Sequence, residues 1–345
     1  MAVERGQRDN GKRRSPSMAD VAALAGVSHQ TVSRVLNDSP LVREDTRTRV
    51  NAAIRELGYR RNAAARLLVT NRSGRIGMVS AHLALYGPSM IAEAVQEAGR
   101  EAGYDVAVVG VLDLTEEALQ RAVDRLLDQA VEALVVAVAH RDAHHLVRGL
   151  SLPIPVVLAQ GVSPGEAMAA GIDQVAGARL ATDHLLDLGH HAVAHVSGPR
   201  DWTEAEQRRE GWRQAHEARG LLPGPELPGD WSAASGYDAG QRLAKDRDLS
   251  AIFVANDSMA LGVLRALHEA ARAVPNDVSV VGFDNVPEGG YYWPALTTVA
   301  QDFPELGRRA VELAVRALGG EDRPAAELAQ PVMLVRGSTG KNRTR

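Results

Sequence analysis

Apolar residues recur with two different periods along this chain, and the change falls near Arg75. Before it, Val21, Leu24 and Ala25 share one face at helical spacing. So do Val32, Val35 and Leu36, and then Val50, Ile54 and Leu57. Ser17 followed by Asp20 is a capping-box start for the first helix. Gly26 stops that helix, because glycine takes the left-handed conformation at little cost. Ser28 caps a second helix after a very short turn, and Gly58 ends a third. The spacing therefore predicts a three-helix head over 18–61. The next segment, 62–74, is rich in Ala and Arg and too short to be stably helical alone in water, so it reads as a linker that orders against a partner.

From Arg75 on, the apolar residues gather into continuous runs: RIGMVS, YDVAVVG, EALVVAVA, IPVVLA, HAVAHVSG, AIFVAN and VSVVGFD. Amphipathic segments fill the gaps, at 88–102, 116–130, 175–188, 204–219 and 257–271. Unbroken apolar strands alternating with helices predict parallel sheets covered on both faces. The runs are too many for one small sheet and divide near residue 173. Two doubly wound lobes follow, the first over about 75–173 and 301–330, the second over about 174–300 and 331–340. Residues 1–17 form a basic tail expected to be disordered, and 341–345 a second tail. In such folds ligands bind at the carboxyl ends of strands. Those ends read SAHLALYGPS, AQGVS, SGPRDW, ANDS and GFDN, which are polar and small.

Charge sharpens the picture. The chain of 345 residues carries a net charge of −4. Residues 1–75 hold 15 Lys+Arg against 7 Asp+Glu, whereas the other 270 hold 24 against 36. A basic head on an acidic body suits a protein that meets phosphates at one end. Arg34, Arg43, Arg47, Arg49, Arg60, Arg61 and Arg66 extend this charge beyond the tail. The helix–turn–helix over 20–37 leaves Gln30, Ser33 and Arg34 opposite its apolar face. Gln pairs with adenine and Arg with guanine at the major-groove edge. With no cysteine, disulfides and thiolate metal sites are excluded. No apolar run reaches the roughly 18 residues needed to span a bilayer. The N-terminus lacks the apolar stretch of a signal peptide, so a cytoplasmic protein is expected.

The motifs DVAALAGVSHQTVSRVLN, RNAAARLL, VANDSMALGVLRAL, DVSVVGFDN and LTTVAQDF resemble the lactose repressor family of bacterial transcription regulators, over about 18–339. LALYGPS, GDWSAASGY and LTTVAQDF look closest to the lactose-responsive branch. The resemblance implies an all-α helix-turn-helix head, a hinge helix, and an α/β core like a type I periplasmic binding protein. It implies a dimeric repressor on a palindromic double-stranded operator, released or retained by a small sugar effector. It places His29, Gln30 and Arg34 at base edges, and Ser28, Thr31, Ser33 and Asn37 near the phosphates. Leu68 matches a minor-groove wedge, with Asn62 and Ala65 beside it. The family's proline before Asn62 is Arg61 here.

In the cleft the resemblance aligns Trp231 with a ring that covers the apolar face of a sugar, and Asp284 with a carboxylate that takes vicinal hydroxyls. Arg209, Asn256 and Gln301 match the remaining polar grip. Leu85, Pro88, Ile91, Phe303 and Leu306 match the apolar wall. Gln160 stands where the lactose-responsive branch has an aspartate, and Ala81 and Ala205 stand where it has serines. A neutral sugar is expected, with a galactoside first, and another sugar or a purine as alternatives. The polar C-terminal GKNRTR has no heptad spacing, which predicts a dimer rather than a coiled-coil tetramer.

Other readings are weaker. Gly161–Gly165 matches the G-x-S-x-G elbow, but Pro164 lacks the N–H an oxyanion hole needs after Ser163. His140, His144 and His145 cluster without a third metal ligand at the usual spacing. His190, His191 and His195 read as structural. No cofactor-binding motif is present, a sugar-active enzyme would need a second carboxylate beside Asp284, and a transporter's solute-binding module would not need the head.

Overall fold

The computed structural model describes residues 16–36, 39–59, 72–112, 114–140, 149, 152–162, 166–321 and 328–343. The chain forms two compact units, Met1–Ser73 and Gly74–Arg345.

In the first unit, α1 (Met18–Ala25), α2 (His29–Leu36) and α3 (Glu44–Leu57) enclose Val21, Ala25, Val32, Val35, Val50 and Ala53. The Ser17–Asp20 capping box forms, with the Ser17 N–H donating to the Asp20 carboxylate at 2.7 Å. Gly26 and Gly58 end α1 and α3 at φ 62° and 61°. Leu24 departs from the expected face: it is 46% exposed, and Ala22 is buried in its place. At about 100° per residue Ala25 lies between Val21 and Ala22 on the buried side, whereas Leu24 falls about 60° to the other side of Val21.

The second unit has two lobes. The first lobe's sheet runs β2-β1-β3-β4, all parallel, from β1 (Arg75–Ala81), β2 (Asp105–Val111), β3 (Ala133–Ala137) and β4 (Val156–Leu158). Helix α4 (Tyr86–Glu101) lies between β1 and β2 in sequence, and α5 (Glu116–Leu127) before β3. The second lobe follows with α6 (Gln174–Asp187), β5 (Ala194–Ser197), α7 (Thr203–Glu217), β6 (Glu226–Pro228), α8 (Ala233–Leu243), β7 (Ala251–Val254), α9 (Asp257–Glu269), β8 (Ser279–Asp284) and β9 (Thr297–Ala300). The chain then re-enters the first lobe as α10 (Phe303–Leu318) and returns as β10 (Val332–Leu334). The second sheet runs β10-β9-β8-β7-β5-β6. Its strands are parallel except β10, which pairs antiparallel with β9 at the edge. β10 arrives from the other lobe without a covering helix between it and β9 in the same lobe, so it is free of the crossover that forces parallel pairing.

Burial explains the unbroken apolar strands. β3 and β7 are buried at every residue. Ile76, Met78, Ile91, Val95, Val135, Phe303, Leu306 and Val311 form one core of the first lobe, which ties α10 to α4. In the second lobe α8 and α9 touch through glycines. A Cβ on Gly262 would meet the Ala233 carbonyl oxygen at 2.0 Å, and one on Gly236 the Met259 carbonyl oxygen at 2.1 Å. Two of the crossing segments pair with each other, at Ile172 and Ala329.

Candidate functional site: a polar cleft between two lobes and an exposed helix on the head

Asp284 ends β8 at φ 103°, followed by Asn285 at φ 57°. Asn tolerates the left-handed region well, but φ 103° at Asp284 lies outside it and marks a strained turn. The turn leaves the Asp284 carboxylate at the strand end, only 7% exposed. Its Oδ1 accepts from Gln301 Nε2 at 2.7 Å, and Arg208 Nη2 lies 3.5 Å away. Gln174 Nε2 donates to Gln301 Oε1 at 2.7 Å, and Arg208 Nε donates to Gln174 Oε1 at 2.9 Å. Four side chains from α6, α7, β8 and the turn after β9 thus close a ring of polar contacts. Arg208 also donates to the Ala255 carbonyl and lies 3.9 Å over the Phe283 ring. Every member holds the next, so the guanidinium is fixed before a ligand arrives.

Burial drives the electrostatics. It pushes the Asp284 carboxyl up to about 6, against the opposing pull of Arg208 and the Gln301 hydrogen bond. Behind it, burial and then Asp284 itself push Asp257 up to about 7. Asp257 accepts from Thr298 Oγ1 at 2.6 Å and from the Val286 N–H at 2.9 Å. Gly282 makes room for it: a Cβ there would stand 2.1 Å from Asp257 Oδ1.

The opposite wall is aromatic. Trp231 is 7% exposed at φ 74°, and its Nε1 has no hydrogen-bond partner among the described residues. A buried indole N–H without a partner costs free energy that a ligand oxygen would recover. Asn256 holds this residue in place. Its Nδ2 donates to the Trp231 carbonyl at 3.1 Å, while its Oδ1 caps α9 by accepting from Met259 N–H at 2.9 Å. Trp202 meets Trp231 edge-on at 5.5 Å, and His82 of the first lobe packs on Trp202 at 5.4 Å. Leu85, Tyr86, Pro88, Ile91 and Phe303 complete the apolar side. In this arrangement the cleft is nearly filled, with about 30 Å³ of free volume.

Most residues expected from sequence meet here: Leu85, Pro88, Ile91, Gln160, Trp231, Asn256, Asp284, Gln301 and Phe303 line the cleft. Two do not. Arg209 turns away, with Nε 2.6 Å from Glu226 and a second pairing to Glu206. One helical position rotates a side chain by about 100°, so Arg208 faces the cleft and its neighbour cannot. Leu306 is buried in the first lobe's core and does not line the cleft. Ala81 and Ala205 are also buried.

Tyr86, Gly87, Trp202, Glu204 and Arg208 also line the cleft; the first three stand in the strand-end segments SAHLALYGPS and SGPRDW, but sequence reasoning singled out none of the five as a site residue. The i, i+4 spacing of Glu204 and Arg208 was the signal for these two, since it puts both on one face of α7. Glu204 accepts from Gln160 Nε2 at 3.1 Å. Gln160 belongs to the first lobe, so this bond crosses the cleft.

On the head, His29, Gln30 and Arg34 are exposed along α2, with Ser33 half-buried. The N-terminus of α2 is pinned by Ser28, whose Oγ accepts from the Thr31 N–H at 3.1 Å and lies 2.9 Å from Thr31 Oγ1. Asn37, Asn62, Ala65 and Leu68 lie outside the described residues, as do Ser163, His144 and His145. His140 pairs with Asp201 at 3.3 Å. His195 stacks on Phe253 at 4.7 Å, and burial pushes its ring down to about 4.

Residues 17–62 match the family described as bacterial regulatory proteins, lacI family, and 182–339 match a periplasmic binding protein-like domain. The chain is 35% identical to the lactose operon repressor of Escherichia coli K12 over 94% of its own length and 90% of that protein's. It is 32% identical to the ribose operon repressor of the same strain, over 93% and 99%. The chain belongs to the lacI family. Among solved structures, a lac repressor dimer bound to operator and the anti-inducer ONPF superimposes with a TM-score of 0.83 at 33% identity, covering 95% of this chain and 100% of that one. A complex of the regulator CelR with cellobiose gives 0.70 at 30%, covering 94% and 99%. Members of this family are transcriptional regulators and not enzymes.

Proposed function

We propose that this lacI-family regulator is a cytoplasmic repressor that binds a palindromic operator as a homodimer and releases it when a sugar fills the cleft. The observation that carries the sugar reading is the ring Arg208–Gln174–Gln301–Asp284 facing the unpartnered indole N–H of Trp231. A carboxylate and a guanidinium held together grip a pair of hydroxyls, and an indole accommodates the apolar side of a pyranose. Arg34, Gln30 and His29 take the base-reading role on α2, while Ser28, Thr31 and Ser33 sit where phosphates pass. Likeness to the lactose operon repressor makes a galactoside the first candidate. Likeness to the CelR–cellobiose complex makes a glucoside the second.

The test is a thermal-shift screen of galactosides, glucosides and purines, with operator release measured for each hit. A galactoside should raise Tm and free the operator at the same concentrations. A purine that does so, with no response to any sugar, overturns the sugar reading.

A further inference from the structure

Glu204 changes what the cleft asks of its ligand. It sits on the first turn of α7, half-buried, and lines the cavity with Asp284. The charged lining side chains are therefore two carboxylates and one guanidinium. The guanidinium is already committed. Arg208 closes the ring with Gln174 and Asp284 and donates to the Ala255 carbonyl. Among the described residues Glu204 has only neutral hydrogen-bond partners, the Gln160 amide at 3.1 Å and the Gly161 N–H. No cation lies within 4.0 Å of it among the described residues. Burial pushes the Glu204 carboxyl up, and Arg208, one turn along α7, pulls it down from beyond ion-pair distance while it is shared with Asp284. The Tyr86 hydroxyl on the facing wall is pushed up by burial and then by Asp284, Asp257, Glu288 and Glu93.

With one guanidinium shared between two carboxylates, Glu204 keeps its charge in a closing cleft at a cost that a cationic ligand group lowers. Neutral hydroxyls satisfy lone pairs but leave the charge. An ammonium satisfies both. A uronate or a sugar phosphate adds a third negative charge to the site.

We propose that the effector is an amino sugar, whose ammonium group is held by Glu204 while Asp284 and Arg208 take its hydroxyls. This rests on the sugar reading above and refines it. Glu204 is then the residue that sets charge selectivity, and Gln160 positions its carboxylate from the other lobe.

Isothermal titration of the full chain decides it. The probes are galactose and glucose, their derivatives with an amine at each ring position in turn, and the two uronates. At least one amino sugar should bind about tenfold or more tighter than its hydroxyl parent, which is about 1.4 kcal/mol, and the uronates should give no heat. Glu204→Gln should bring that amino sugar to within about twofold of its parent, with melting temperature and operator affinity confirming an intact fold. The wild-type ranking stands even if the variant does not fold. Parent sugars binding as tightly as every amino derivative overturn the inference and leave the sugar reading intact. No heat from any sugar overturns both.

Discussion

One step along a helix separates Arg208, whose guanidinium closes the ring around Asp284, from Arg209, whose guanidinium meets Glu206 and Glu226 on the far side of α7. The two arginines therefore predict opposite phenotypes. Arg208→Ala should weaken effector binding by roughly ten- to a hundredfold, the range of a hydrogen bond to a charged group. Arg209→Ala should leave effector affinity unchanged and lower stability by about 1 kcal/mol, since its partners are partly solvated. Titration calorimetry with urea melts separates the two, and equal loss of affinity in both variants would remove Arg208 from its role. Acid should also weaken the grip. The Asp284 carboxyl titrates at about 6, and the ionised form is the one that accepts two ligand hydroxyls. Effector affinity is then full above pH 7 and declines as pH falls through 6. Asp257 acts on stability with its own sign. Its folded-state value of about 7 exceeds the ordinary 3.8, so between those values the folded chain holds more protons than the unfolded one. Stability must fall as pH rises across that window. Asp257→Asn should flatten the slope of urea midpoints against pH, whatever its absolute stability.

At the scale of elements, what reads through from sequence is what repeats. The period of Val32, Val35 and Leu36 locates α2 and leaves Gln30 and Arg34 on its open face, where the structure has them exposed. If Arg34 pairs with guanine, Arg34→Ala should cost about 1–3 kcal/mol of specific operator binding. Non-specific binding should then fall much less, as salt-dependent gel shifts on operator and scrambled DNA can show. The unbroken runs of β3 and β7 were equally legible, because burial on both faces writes an apolar residue at every position. β6 was not: it is three residues, Glu226–Pro228, with a charge and a proline, held by its place beside β5. Nor was α8, whose glycines lower helix propensity and are required by contact with α9 rather than by local preference. Gly236→Val would drive a side chain into the Met259 backbone and should destabilise the core by about 1–3 kcal/mol, read as a drop in urea midpoint. The cleft shows the same division. Trp231 and Asp284 stand in motifs that sequence alone singles out. The segment SGPRDW and the helix expected over 204–219 bring Trp202 and Glu204 to the strand ends, but neither residue stands in a motif that assigns it a contact.

For the molecule as a whole, the contacts that join the two lobes matter as much as those that line the cleft. Across the mouth, the Thr203 N–H donates to the Ala139 carbonyl at 2.8 Å, Gln207 Nε2 donates to the Val162 carbonyl at 2.9 Å, and Gln160 donates to Glu204 at 3.1 Å. Each of these bonds exists only when the lobes are together. If the effector acts by favouring that arrangement, its apparent affinity is its intrinsic affinity multiplied by the fraction of closed lobes. Gln207 tests this because it bonds across the lobes without lining the cleft. Gln207→Ala should lower the closed fraction and weaken effector binding by roughly threefold to tenfold, the worth of one partly buried hydrogen bond. Operator affinity without effector should stay equal or rise. Linkage then fixes the last quantity, because the free energy that couples effector to operator is the same from either side. The effector concentration that half-releases operator must shift by the same factor as the calorimetric affinity. A loss of affinity with no shift in release would mean that the cleft communicates with the head by some route other than lobe closure.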